Sequence, residues 1–245
     1  MATTERQFLT DVTEALHAAG REYRYGLTTA TELTAAAFSV SSIRQAWGAR
    51  VPALVRSLRG IFQRSANRAE RDTGGTLPDT WDGLQRRDEA QLPQPVREWE
   101  RATTGLLMLT GDDMARVADQ ELREGLAAGE SPRELRRRLE AVFSPNGDQL
   151  GPVRARRIAA TETTRAWNAA QLGAAREMTG LDRPLVKQWL TESDSRVRLT
   201  HRDANGQLRH LDETFQVGVS AMMYPGDPTA PPDETVACRC RLGLA

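Results

Sequence analysis

The residues best suited to chemistry crowd into one stretch. Between Leu185 and Leu242 lie both cysteines, Cys238 and Cys240, and two of the three histidines, His201 and His210. The cysteines flank Arg239. In a strand, residues i and i+2 point the same way, so both sulfurs face one point. That spacing suits an unstrained disulfide poorly. Two thiolates with His201, and with His210 or Asp194 as a fourth ligand, would make a tetrahedral zinc site. A metal would help a small, aromatic-poor piece of chain to fold. The plain alternative is a pair of buried reduced thiols and no cofactor.

Asp194, Arg198 and His201 fall at i, i+4 and i+7. A helix would set them on one face, with a carboxylate–arginine pair beside an imidazole. A carboxylate raises the basicity of a neighbouring histidine, as in a general base. The same residues, with Trp189 and Arg196 beside them, also read as a brace for the turn before Asn205-Gly206. Thr161-Glu162-Thr163, followed by Asn168, lies within a predicted helix. A glutamate flanked by hydroxyls can orient a substrate or partner, or simply make helix–helix hydrogen bonds. Arg136-Arg137-Arg138 and the group Arg154, Arg156 and Arg157 are basic clusters. Arginines one turn apart can grip phosphates, which suits DNA. They also make ordinary solvated helix faces, and Glu134, Glu140, Glu162 and Glu177 dilute the positive stripe. There is no Gly-rich phosphate loop, no GxSxG and no HExxH, which argues against the common nucleotide-binding and hydrolase classes.

The elements that must position these residues are mostly helices. With 245 residues, 39% hydrophobic and only 5% aromatic, two modest cores are more plausible than one large one. Charge is balanced at 33 basic and 33 acidic residues, and Lys187 is the sole lysine. No apolar run approaches the roughly 20 residues of a membrane span. The start, MATTERQFLTDV, lacks the basic and apolar regions of a signal peptide, so a soluble protein made in a cytoplasm is expected.

Helical spacing runs over residues 4–24, with His17 as an ordinary surface or satisfied histidine, and again over Thr28 to Phe38. It resumes from Ile43 to Phe62, with Pro52 as a break or a first-turn residue. Thr73 to Pro95 reads as a connection packed through Trp81. Helices follow from Val96 to Leu109 and from Thr110 or Asp112 to Gly129. Ser131-Pro132-Arg133-Glu134 is a capping box that opens another. Val153 to Met178 reads as one long helix with Gly180 at its C-cap. Beyond Gly180 the pattern becomes α+β. Val186 to Thr191, Phe215 to Val219 and Cys238 to Leu242 are strand candidates, Asp194 to His201 is one or two helical turns, and Asn205-Gly206 is a hairpin signal. Tyr224 to Pro232, with four prolines, is an extended loop. The expected fold is mainly α with a C-terminal α+β domain. It comprises a helical N-terminal region (1–95), a helical region with the long helix (96–180), and a compact end of short strands and a proline-rich loop (181–245).

Taken in order, RRIAATETTRAWN (Arg156 to Asn168), Trp189, DSRVR (Asp194 to Arg198), His201, Asn205-Gly206, Phe215, Pro225-Gly226-Asp227-Pro228 and Cys238-Arg239-Cys240 resemble the phage Mu F-like minor head protein family, the phage head morphogenesis domain. The resemblance covers about residues 110–245. Where some members carry a further cysteine, this chain has Leu199-Thr200-His201, so His201 would have to serve in any metal cluster. The resemblance implies a low-copy minor capsid protein of a bacteriophage virion. Such a protein lies inside the head near the portal, contacts portal protein, major capsid protein or packaged DNA, and acts in head morphogenesis, DNA packaging or ejection. It implies no membrane partner. Some relatives carry toxin or protease domains; none is expected after Ala245. Two alternatives stay open beside this structural reading. One is a metal-dependent enzyme or toxin-like nuclease or transferase using Asp194 and His201, with Glu162. The other is a zinc-stabilised DNA-binding module.

Overall fold

The computed structural model describes residues 2–29, 40–192 and 194–245. Packing groups the chain by contact and not by chain order. One unit is built mainly from Arg56–Thr103 and Ala159–Ala245, the other from Arg6–Val55 and Thr104–Ile158. The helix expected over Thr28 to Phe38 lies almost wholly outside the described residues. Among those described, no helix is long and apolar enough to cross a membrane.

The second unit is helical. α1 (Ala2–Thr29) brings Phe8, Val12 and Leu16 to the core at four-residue spacing. α2 (Val40–Gly48) supplies Ile43 and Trp47. α3 (Val51–Thr73) begins afresh with Pro52 in its first turn, where a missing N–H costs nothing. The break expected near Thr110 is absent. Gln94–Ala127 is one continuous helix, α4, running straight through Gly111. The cluster Thr110-Gly111-Asp112-Asp113 has the chemistry of a helix start, but packing decides. A Cβ at Gly111 would meet the Trp47 ring at 3.0 Å, and the Trp47 indole donates to Leu107 O at 2.6 Å. The glycine gives the tryptophan room against an unbroken helix. α5 (Pro132–Val142) opens as expected: Glu134 accepts from the Ser131 amide at 2.7 Å and from its hydroxyl at 2.6 Å. His17 is a satisfied histidine, bonded to Pro145 O at 3.3 Å.

In the first unit, α3 and α6 (Pro152–Glu177) are tied by Ser65, whose hydroxyl donates to Trp167 O at 2.7 Å, and by Gln171, which donates to Ser65 O at 2.7 Å. Phe62 packs between Trp81 and Trp99, with centroids 6.0 and 4.7 Å away. Trp81 does anchor the Thr73–Pro95 connection, which winds through three one-turn 3-10 helices. Its indole donates to Glu177 at 2.6 Å.

Against α6 lies the α+β end. β1 (Val186–Leu190) is the centre of an antiparallel sheet, with β2 (Leu208–His210) on one side and β5 (Arg241–Leu244) on the other. α7 (Leu199–Ala204) sits between β1 and β2 in sequence. β3 (Phe215–Val217) and β4 (Ser220–Met222) form a separate hairpin whose turn uses Gly218 at positive φ. α8 (Pro232–Thr235) is a single turn before the cysteines.

Three local expectations shift here. Asn205-Gly206 does not join two strands; it ends α7, and the Gly206 amide donates to Trp189 O. Asp194 to Arg198 is a turn, and the helix starts only at Leu199, because Asp194 accepts from the amide of Arg196 two residues on. The last strand starts at Arg241, so both cysteines precede it.

Lys187 is the one lysine and is fully buried in this core. Its ammonium donates to Met223 O at 2.9 Å and lies 5.1 Å from the Phe215 ring centroid. Burial lowers its pKa to about 8, against roughly 10.4 in an unfolded chain. Between those two values the unfolded chain holds more protons than the folded one, so this lysine makes stability rise with pH across that window. The variant K187M is expected to lose that rise. Thermal midpoints of both proteins from pH 7 to 11 check it; parallel profiles would contradict the assignment.

Candidate functional site

His201 rides on the short α7 and is buried to 1% exposure. Its Nδ1 faces both thiols, 3.3 Å from Cys240 Sγ and 3.6 Å from Cys238 Sγ. Its Nε2 lies 2.9 Å from Glu234 Oε2, which also accepts from the Thr200 hydroxyl at 2.9 Å. The Trp189 ring meets the imidazole edge-on at 5.4 Å. The ligand atoms of His201, Cys238 and Cys240 all lie within 4.8 Å of one another.

The backbone pays for this gathering of side chains. Ala237 has φ of 54°, the one non-glycine residue with positive φ among the described residues. That conformation is uncommon for an alanine and costs on the order of 1 kcal/mol or more. The Ala237 amide is pinned by the Thr161 hydroxyl of α6 at 2.9 Å. The sharp turn drops Cys238 back so that its sulfur accepts from the Cys240 amide at 3.4 Å. The two sulfurs are therefore brought to one point by a tight turn and not by strand alternation. The Cys240 thiol hydrogen-bonds to Cys238, which pulls the Cys238 thiol below its usual range against the effect of burial, with help from His201. The same hydrogen bond, together with burial, pushes Cys240 up.

Asp194 does not join this group. Arg239, the residue between the cysteines, grips its carboxylate with two bonds of 2.7 and 2.6 Å, and Arg196 adds a third at 3.2 Å. The Arg239 bond above all holds Asp194 well below the usual carboxylate range. Arg198 donates instead to Val236 O at 2.6 Å. The shared helix face expected for Asp194, Arg198 and His201 is not formed, because the first two precede the helix. Asp194 and Arg198 tie the turn to the 236–239 segment. His210, the other expected fourth ligand, is exposed on β2.

Glu162 is also elsewhere, buried on α6. It receives Arg165 Nη1 on both oxygens, at 2.6 and 2.7 Å, while Arg165 Nε donates to Gly226 O at 2.9 Å. Burial raises the Glu162 pKa, and the arginine opposes it. One turn on, Asn168 donates to Pro225 O at 2.8 Å and Cys240 O at 3.1 Å and accepts from the Leu242 amide at 2.9 Å. Asp227 shapes the proline-rich loop, accepting from the Met223 and Thr229 amides at 2.7 and 2.9 Å. Sequence reasoning missed Glu234 and Arg165. The spacing of Glu162 and Arg165 at i and i+3 was the available signal for the second; for Glu234 there was none.

In the helical unit, Arg138 is spent on carboxylates: Glu121 at 2.9 Å and Glu130 at 2.5 Å. Arg154 bonds Gln149 at 2.6 Å. Arg136 is half-buried, while Arg137, Arg156 and Arg157 are exposed.

A long helix laid under a small antiparallel sheet, with a Cys-Arg-Cys turn locked onto it, is the setting in which family membership becomes plain. The pattern of the family described as Phage Mu protein F like protein matches residues 117–243, just over half of the chain, and the chain belongs to that family. It is also similar to the minor head protein GP7 of Bacillus phage SPP1, at 29% identity over 126 residues. That match takes in 50% of this chain and 37% of the relative, so the chain spans well under half of that protein's length. No solved structure matches the chain.

Proposed function

We propose that this chain is a minor structural protein of a bacteriophage head. It is present in few copies inside the head near the portal, where it contacts portal or major capsid protein and acts in head morphogenesis, genome packaging or ejection. The observation that carries this reading is the family match over 117–243, joined to a relative whose name is minor head protein. The geometry supports it from the other side. An enzyme built on Asp194 and His201 needs the two groups within reach of one substrate. Here Asp194 is neutralised by Arg239, and His201 is held between Glu234 and two thiols. For contact with packaged DNA, the exposed Arg137 and Arg156 are better placed than Arg138, whose charge is already met within its own unit.

The test is quantitative mass spectrometry of purified particles separated into heads and tails. The chain is expected in the head fraction, at a small fraction of the major capsid protein, and cross-linked to portal or capsid peptides. Its absence from particles, or its recovery with tails alone, would overturn the proposal.

A further inference from the structure

The His201–Cys238–Cys240 cluster has the dimensions of a metal site. Zinc bonds to sulfur at about 2.3 Å and to imidazole nitrogen at about 2.0 Å, so neighbouring N and S ligands of a tetrahedron stand about 3.5 Å apart. Nδ1 of His201 lies 3.3 and 3.6 Å from the two sulfurs before any ion is considered. The other ring nitrogen is already engaged by a carboxylate, Glu234, which Thr200 holds in turn. A carboxylate on the far nitrogen is the usual outer support of a metal-bound histidine, since it fixes the tautomer and the ring orientation. A further observation is independent of these. The Trp189 indole is buried, with its ring edge-on to His201 and its N–H reaching the Cys240 sulfur. A thiolate held on a metal would accept that N–H more strongly than a thiol does.

We propose that His201 Nδ1, Cys238 Sγ and Cys240 Sγ bind one zinc ion, with Glu234 as the positioning residue that orients His201 through Nε2. The thiolate and imidazole donors select zinc over magnesium or calcium, which prefer oxygen. Binding expels the thiol protons to solvent and involves no redox step. Among the described residues, no fourth histidine, cysteine or carboxylate joins the cluster. The ion would staple two separate segments: α7 and the Cys-Arg-Cys turn between α8 and β5. This rests on the side chains alone and stands or falls apart from the role in the phage head.

The full chain, stripped with a chelator under reducing conditions, would be titrated with cobalt(II) and then with zinc. The expected result is a thiolate-to-cobalt charge-transfer band that saturates at one equivalent and is bleached by one equivalent of zinc. Chain purified without chelator should carry one zinc by native mass spectrometry. The variant E234Q should bind cobalt about 10- to 100-fold more weakly with an unchanged circular dichroism spectrum. C240S should lose the band; if it does not fold, the wild-type titration decides alone. A folded, reduced chain that gives no thiolate band overturns the site. So does an intact mass short by two hydrogens, which would mean a Cys238–Cys240 disulfide in the purified protein. E234Q binding as tightly as wild type would overturn the role of Glu234.

Discussion

Replacing Arg165 by leucine is expected to destabilise its unit by about 3–5 kcal/mol at neutral pH, the usual cost of leaving one member of a buried ion pair without the other. Glu162 would remain buried on α6 with no counter-charge, and Gly226 O would lose its donor. The loss should depend on pH in a definite direction. Burial already raises the Glu162 pKa, and removing the opposing arginine raises it further. A carboxyl whose folded pKa exceeds its unfolded value favours folding when protonated. The penalty should therefore be relieved below about pH 4, where Glu162 is protonated in both states, and grow as pH rises through the folded pKa. The double variant E162L/R165L should recover most of the loss, because two apolar side chains of similar bulk need no partner. Urea unfolding of the three proteins, wild type, R165L and E162L/R165L, at pH 4 and pH 7 measures this. A single variant within about 1 kcal/mol of wild type would show that water reaches the pair.

Asn168→Ala is expected to be as severe by a different route. The side chain is completely buried, and its amide serves three backbone groups: Pro225 O, Cys240 O and the Leu242 N–H. Each buried group left unpaired costs about 1–3 kcal/mol. Partial relaxation should hold the sum to roughly 3–5 kcal/mol, a large share of the about 5–15 kcal/mol that keeps a domain folded. The structural consequence is specific. The proline-rich loop and the start of β5 should detach from α6 first, so hydrogen exchange at Leu242 should accelerate more than at Leu172 on the same helix. Uniform acceleration across α6 would argue for global loss of stability and against a local clamp.

These two residues show where reading the sequence stops. Features written in neighbouring residues were legible: Pro52 at a helix start, the Ser131–Glu134 capping box, Gly180 beyond the long helix, and the proline-rich loop. Features that depend on what arrives from elsewhere were not. The Thr110-Gly111-Asp112 cluster has the local chemistry of a helix start, yet Trp47, more than sixty positions earlier in the chain, overrides it. Cysteines and histidines are rare here, so His201 and the Cys-Arg-Cys turn stood out, and the structure does bring them together. Glutamates and arginines are common, so Glu234, Arg165 and the Asp194–Arg239 clamp had nothing to mark them. Asp194 was legible as a residue of interest but not as to its partner, since a turn at 194–198 redirects it from the imidazole to Arg239.

The middle of α6 meets the C-terminal end with polar groups: Thr161, Glu162, Arg165 and Asn168 each contact a residue that follows position 224 or, for Glu162, a neighbour that does, while Leu172 further along joins the apolar cluster under the sheet. The strand that completes the sheet, β5, pairs with β1 from more than fifty positions later. On the ribosome, the long helix is therefore finished well before the segments that will cover it. An apolar face waiting that long would invite association with other nascent chains. A row of hydroxyl, carboxylate, guanidinium and amide groups can wait in water without penalty, and becomes costly to expose only after the last strand has locked onto it. The price is slow closure, because these contacts span long stretches of chain, and in exchange this part of α6 shows little apolar surface while β5 is awaited.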